Sequence, residues 1–313
     1  MDIIWIKSAE RSDFNEVGSK ATGLARLQGL GFRTPGGFVI TASAFGRFLD
    51  GADLRATLSS LIKCNDSEQW TPLLERLTRG IATASWTNDL RDAIGTSFRT
   101  LSVPVAVRSS GISEDGQQSS FAGAFSSFLN LKSEEEVLAA IRECWISAFS
   151  EKVVAYRTQN KAIKPEWLMG VIVQKMISSR KAGVMFTRAP YGEKNSLLLE
   201  AVEGGCERIV SGAPADLTVW VDRANRAVKR VEQPTSHRRQ FDEASRSIFL
   251  KEEPIRRKRL LRRAEIDSLV DAGLTIETTF GSPQDIEWAI TDSDLILLQA
   301  RPLTAYRGAG EEG

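Results

Sequence analysis

The sequence predicts an α+β protein built in two lobes. Three observations lead there. Strand-like and helix-like segments follow one another without the regular βαβ alternation of a doubly wound sheet. The 313 residues are enough for two hydrophobic cores. A stretch rich in Pro, Gly and charge at 190–195 reads as a lobe boundary, giving lobes of 1–190 and 191–313.

The elements follow from periodicity. Leu24, Leu27 and Leu30 stand at helical spacing, so 21–30 is a helix, ended by the Gly31, Pro35, Gly36, Gly37 cluster; 38–40 is a strand. Residues 50–100 are amphipathic and read as helices. Val103, Val105 and Val107 alternate, making 103–108 a strand that delivers Arg108 at its end. After the polar stretch 109–120, a strand is expected at 125–131. Val137, Leu138, Ile141, Cys144, Trp145, Ala148 and Phe149 mark a helix with one buried face. Residues 170–177 and 183–187 read as paired strands around a turn, and 196–202 as another strand. A hairpin is expected from 217–222 and 227–231, a helix at 266–280, and a last strand pair at 285–290 and 295–300.

Composition excludes several classes. Forty-one Lys and Arg balance 40 Asp and Glu, for a net charge of +1, which predicts no nucleic acid and no membrane surface as partner. Cys64, Cys144 and Cys206 are far apart and form no CxxC pair, so neither a disulfide framework nor a zinc site is expected. Lys7, Glu10 and Arg11 interrupt any signal peptide, and no apolar run approaches the roughly 20 residues of a membrane span. A cytoplasmic protein is expected.

Four segments carry chemistry. In VGSKATG, residues 17–23, small residues let backbone approach a ligand and Lys20 stands at a helix start, where it suits a phosphate or plain solvent. In VAVRSSGISEDGQQSSFAGAF, residues 105–125, Arg108 enters a Ser, Gly and acid-rich loop able to fold over phosphates, or simply an exposed turn. In VIVQKMI, residues 171–177, an apolar strand ends in Gln174 and Met176, as an adenine pocket or a buried strand could. The fourth, residues 282–304, is the most informative. Asp285 and Glu287 share one strand face, as do Gln299 and Arg301, and a turn at 292–294 would let the four converge. Carboxylate and amide oxygens suit Mg²⁺, and a guanidinium beside them suits a phosphate. Burying these groups without a ligand would be costly.

These segments, in the longer forms VGSKATGLARLQGLGFRTPGGFVIT, VAVRSSGISEDGQQSSFAGAFSSFLNL, VIVQKMISSRKAGVMFTRAP and DIEWAITDSDLILLQARPLT, resemble the ordered motifs of one family. It is the ATP-binding domain of phosphoenolpyruvate synthase, pyruvate phosphate dikinase and rifampin phosphotransferase. The resemblance covers residues 15–304. It implies a two-lobed ATP-grasp fold with nucleotide bound between the lobes, and ATP and Mg²⁺ as cofactors. By position, Lys20 and Arg108 match phosphate-contacting residues. Gly123 falls in the glycine loop over the phosphates, and Gln174 in the adenine strand. Glu287 and Gln299 match the magnesium ligands. Arg301 matches the arginine at the β- and γ-phosphates, and Asp285 the acid beside them. Lys20, Arg108 and Arg301 are the residues expected to act in catalysis.

There are departures. Ser19 replaces a glycine, Ser127 a threonine, and Cys206 a glycine within GGCERIVSG, residues 204–212. In the family, the β-phosphate of ATP passes to a histidine on a mobile domain, leaving AMP and inorganic phosphate. The single histidine, His237, lacks that signature and reads as a surface residue. The expected partner is therefore a separate histidine-carrier and acceptor-binding protein, for which the basic run 256–263 offers a docking patch or only a solvated helix face. A self-contained kinase or ligase and a non-catalytic nucleotide sensor remain open.

Overall fold

The computed structural model describes residues 1–64, 66, 69–111, 127–151, 153–155, 167–193, 195–205, 214–233, 235–242, 247–254 and 260–303, with the backbone alone for 235–242 and 247–254. The chain forms two compact units, Met1–Met176 and Ile177–Gly313.

The first unit is built on β1 (Ile3–Trp5), β2 (Gly37–Ile40), β3 (Val105–Ser110), β4 (Ser127–Leu131) and β5 (Gly170–Lys175). They form an antiparallel sheet in the order β1-β2-β5-β3-β4. Alternation divides its faces. Phe38, Ile40, Val105, Val107, Val171 and Val173 point into the main core, against helices α3 (Ala42–Gly51), α4 (Arg55–Lys63), α5 (Trp70–Thr83), α6 (Asn88–Arg99) and α7 (Glu134–Ser147). Within it Phe45 stacks on Trp145 at 4.5 Å between ring centroids. Burying each such side chain stabilises by roughly 1.5–3 kcal/mol. On the other face Val39 and Ile172 pack against Ile6 and Ala9 of α1 (Ile6–Ala9) and Val17, Ala21, Leu24 and Ala25 of α2 (Phe14–Gly29).

Helix α7 starts three residues before its first buried apolar residue. Ser133 caps it: its hydroxyl accepts from Glu136 N at 3.2 Å, while Glu136 accepts from Ser133 N at 3.1 Å. Three glutamates in the first turn suit the positive end of the helix. Helix α2 is broken at Gly18, with φ 76°. A Cβ there would stand 1.9 Å from the Ser110 carbonyl oxygen, so only glycine lets α2 lie this close to the end of β3. Gly18→Ala is expected to destabilise the protein by about 2 kcal/mol or more, from left-handed strain and the clash together. Denaturant unfolding reads this directly, and a wild-type midpoint would refute the contact.

The second unit holds β6 (Lys181–Phe186), β7 (Ser196–Glu203), β8 (Leu217–Asp222), β9 (Val228–Glu232), a separate hairpin of β10 (Thr235–Asp242) and β11 (Ser247–Pro254), helix α8 (Arg263–Phe280), β12 (Gln284–Ile290) and β13 (Leu295–Pro302). The main sheet runs β13-β12-β6-β7-β8-β9, antiparallel throughout. Helix α8 covers one face, with Gly273 against Met185 and Leu197, and stops at Gly281 in the left-handed conformation. Its first turn is tied down by Glu265, which Lys181 Nζ meets at 2.9 and 2.8 Å. Burial pushes the Glu265 carboxyl up, but the Lys181 and Arg262 hydrogen bonds outweigh it and hold the group below the usual glutamate range.

One expectation is corrected. The strands on either side of residues 178–180 do not pair: β5 lies between β2 and β3, whereas β6 lies between β12 and β7. The polar turn there follows the boundary between the two compact units, Met1–Met176 and Ile177–Gly313. Both runs are apolar because each is central in its own sheet, and local pattern does not distinguish that from a hairpin. The hairpin β10/β11 was not expected, since charge in TSHRRQFD and SIFLKEEP masks any alternation.

Candidate functional site

In the first unit the break at Gly18 starts a fresh helical segment at Ser19, pressed onto the end of β3. The Ser19 hydroxyl donates to the Gly111 carbonyl at 2.9 Å, and the Ser110 hydroxyl donates to the Val17 carbonyl at 2.7 Å. Ser19 thus adds a tether that glycine could not. These contacts bring Lys20 to the strand: it is 9% exposed, and its Nζ donates to the Ser109 carbonyl at 3.1 Å, beside Arg108. Arg108 pairs across the sheet with Ile172, and Ala106 with Gln174. Period two therefore puts Arg108 and Gln174 on the face that α2 packs against. Gln174 is 4% exposed, and its Nε2 has no hydrogen-bond partner among the described residues. Such a buried donor costs about 1–3 kcal/mol, which an acceptor on a bound ring would recover. Gly123 and Cys206 lie outside the described residues. Ser127 opens β4 as the Cα partner of Arg108.

In the second unit β12 and β13 pair, as the sequence suggested. Asp285 faces Arg301, and Glu287 faces Gln299. All four point away from the face holding Ile286 and Trp288, which are fully buried. Arg301 donates to Asp285 Oδ2 through Nε at 3.0 Å and Nη2 at 2.8 Å. With Asp285 12% and Arg301 35% exposed, this pair holds the guanidinium in one orientation. A bulge follows at once: Trp288 faces Leu297, leaving Leu298 extra. It reverses the phase of β13, so that Leu297 enters the core while Gln299, 3% exposed, keeps to the polar face with Arg301.

The donor set suits Mg²⁺. Glu287 and Gln299 offer oxygen from a carboxylate and an amide, and Mg²⁺ is typically held by one or two carboxylates together with substrate phosphates. Among the described residues no group of three or more His, Cys, Asp or Glu stands ready as a cage of its own.

Sequence reasoning overlooked a cluster beside this pair. Glu277 of α8 receives both ends of the Arg223 guanidinium at 2.9 Å and Arg188 Nε at 3.3 Å. Arg223 also donates to the Thr187 carbonyl. The residues come from a strand end, a turn and a helix, so no local motif announces them.

The protein-family model for the pyruvate phosphate dikinase AMP/ATP-binding domain matches residues 14–312. The chain belongs to this family. A probable phosphoenolpyruvate synthase of Methanothermobacter thermautotrophicus is 32% identical over 321 residues, covering 99% of this chain and 47% of that protein. A rifampicin phosphotransferase of a Streptomyces species is 31% identical over 314 residues, covering 96% and 36%. The chain thus spans less than half the length of these two relatives. Among solved structures, the ATP complex of D-alanine–D-alanine ligase from Bacillus anthracis matches with a TM-score of 0.33 at 10% identity, over 91% of this chain and 55% of that one. Among the described residues of this AMP/ATP-binding domain, no helix is long and apolar enough to cross a membrane.

Proposed function

We propose that this chain is the ATP- and Mg²⁺-binding subunit of a dikinase-type phosphotransferase with an ATP-grasp site. In this reading it directs the β-phosphoryl group of ATP to a histidine on a separate carrier protein. The single observation that carries the reading is the paired register Asp285–Arg301 and Glu287–Gln299 in a chain of the dikinase AMP/ATP-binding family. Membership alone names a nucleotide domain; the in-register pairs supply the oxygens and the oriented guanidinium that polyphosphate chemistry needs.

The residues take distinct roles. Glu287 and Gln299 would hold the metal, which when bound neutralises phosphate charge. Arg301, held by Asp285, binds the outer phosphates, while Lys20 and Arg108 offset phosphate charge from the first unit. Gln174 turns its buried amide to the adenine. Catalysis rests on positioning and electrostatics, since phosphoryl transfer asks little covalent chemistry of the protein. The histidine nitrogen forms the new bond to the β-phosphorus as AMP leaves. Water takes the γ-phosphoryl group, releasing inorganic phosphate, so ATP, histidine and water give AMP, phosphohistidine and phosphate. In this reading His237 is not the acceptor; its place within β10, with Glu252 of β11 as Cα partner, supports that.

The test uses the chain with and without a histidine-carrier protein of this enzyme class and ATP labelled at the β-phosphate. The chain alone should turn ATP over slowly. Adding the carrier should release AMP and label the carrier, and His237→Ala should leave that labelling unchanged. Full-rate phosphorylation of a small acceptor by the chain alone, with release of ADP, would overturn this reading in favour of a direct kinase. Binding without turnover under both conditions would favour a nucleotide sensor.

A further inference from the structure

The cluster around Glu277 bears directly on the start of β12. Thr187 is fully buried, and its hydroxyl accepts from Gln284 N at 2.8 Å while donating to Glu277. Thr187 N in turn donates to the Gln284 carbonyl at 2.9 Å, closing a two-way clamp on that residue. Gln284 immediately precedes Asp285, and Asp285 is what orients Arg301. The clamp is held from behind by Arg223 and Arg188 on the Glu277 carboxylate, 12% exposed on α8.

Resting on the proposed nucleotide role, we propose that Glu277, acting through Thr187, is a positioning residue for Arg301: it fixes the first residues of β12 and so the guanidinium that meets the outer phosphates. A carboxylate is suited to this work. It can take the bidentate Arg223, the single bond from Arg188 and the Thr187 hydroxyl at once, which a neutral amide with one oxygen cannot. Burial pushes the Glu277 carboxyl up, yet the Arg223 and Thr187 hydrogen bonds and the charge of both arginines hold it below the usual glutamate range. The clamp is therefore ionised at neutral pH. It reaches Arg301 along β12, so its loss should be felt at the outer phosphates and not at the base.

Thr187→Val removes the hydroxyl while keeping the shape, and Thr187→Ser keeps the hydroxyl. Titration calorimetry with ATP and with AMP should show Thr187→Val binding ATP about fivefold to tenfold more weakly, with AMP changed less than twofold. Thr187→Ser should restore the ATP-to-AMP ratio. Glu277→Gln should behave as Thr187→Val does, and it serves as the second variant if Thr187→Val fails to fold. Equal losses for both nucleotides, or none, would show a merely structural cluster and overturn the proposal. A wild-type chain that prefers AMP to ATP, or binds neither, would overturn the nucleotide reading itself, and the positioning role with it.

Discussion

Replacing Glu287 by alanine is expected to remove the magnesium dependence of ATP binding and to lower affinity about a hundredfold or more in the presence of the metal. Glu287 supplies the full negative charge in a pair whose other member, Gln299, is neutral, so the amide alone would hold a hard dication poorly. The fold should survive. Glu287 is only partly buried, on the sheet face opposite Trp288, and its removal opens no cavity in the apolar core. Calorimetric titration of ATP with and without Mg²⁺ measures both quantities. A Glu287→Ala variant that retained wild-type affinity and metal dependence would show that the metal is held elsewhere.

Arg301→Ala is expected to weaken ATP binding about tenfold to a hundredfold, the loss of about 1.5–3 kcal/mol that a charged hydrogen bond contributes. Arg301 carries its charge already oriented by two bonds to Asp285. Its removal takes away a prepared contact and also leaves Asp285 as an anion near the phosphates. AMP, without the outer phosphates, should be affected far less. Arg108→Ala should act in the same direction from the first unit. Competition binding with AMP, ADP and ATP resolves the effect by phosphate number, and a uniform loss across the three would move Arg301 away from the outer phosphates.

Legibility of the site followed the range of the interaction. Asp285, Glu287, Gln299 and Arg301 lie on two strands joined by a short turn, so alternation and a turn signal suffice to bring the two strands together, while the register shift after Glu287 is what sets it opposite Gln299. Lys20 and Arg108 are separated by half the length of the first unit. Each could be named from its own segment, but their meeting at the end of β3 depends on the α2 break at Gly18 and the Ser110 tethers. Thr187, Arg223 and Glu277 carry no local signal at all, because their contact is made only when β6, the β8–β9 turn and α8 assemble.

The sequence by itself determined the α+β class, most of the helices and most of the strands. It also determined the pairing of the last two strands, because period and turn chemistry are set over a few residues. It placed helix starts late, as at α7, where capping by Ser133 and Glu136 precedes the apolar stripe. Only the tertiary structure decided that the apolar runs of β5 and β6 enter different sheets, since a central strand is apolar on both faces whichever neighbours it takes. It decided, too, that the bulge at Leu298 turns Leu297 inward while Gln299 and Arg301 stay on the polar face. In LILLQAR every residue before Gln299 is apolar, so the change of phase is settled by packing against Trp288 and the α8-covered core, and not by the local pattern.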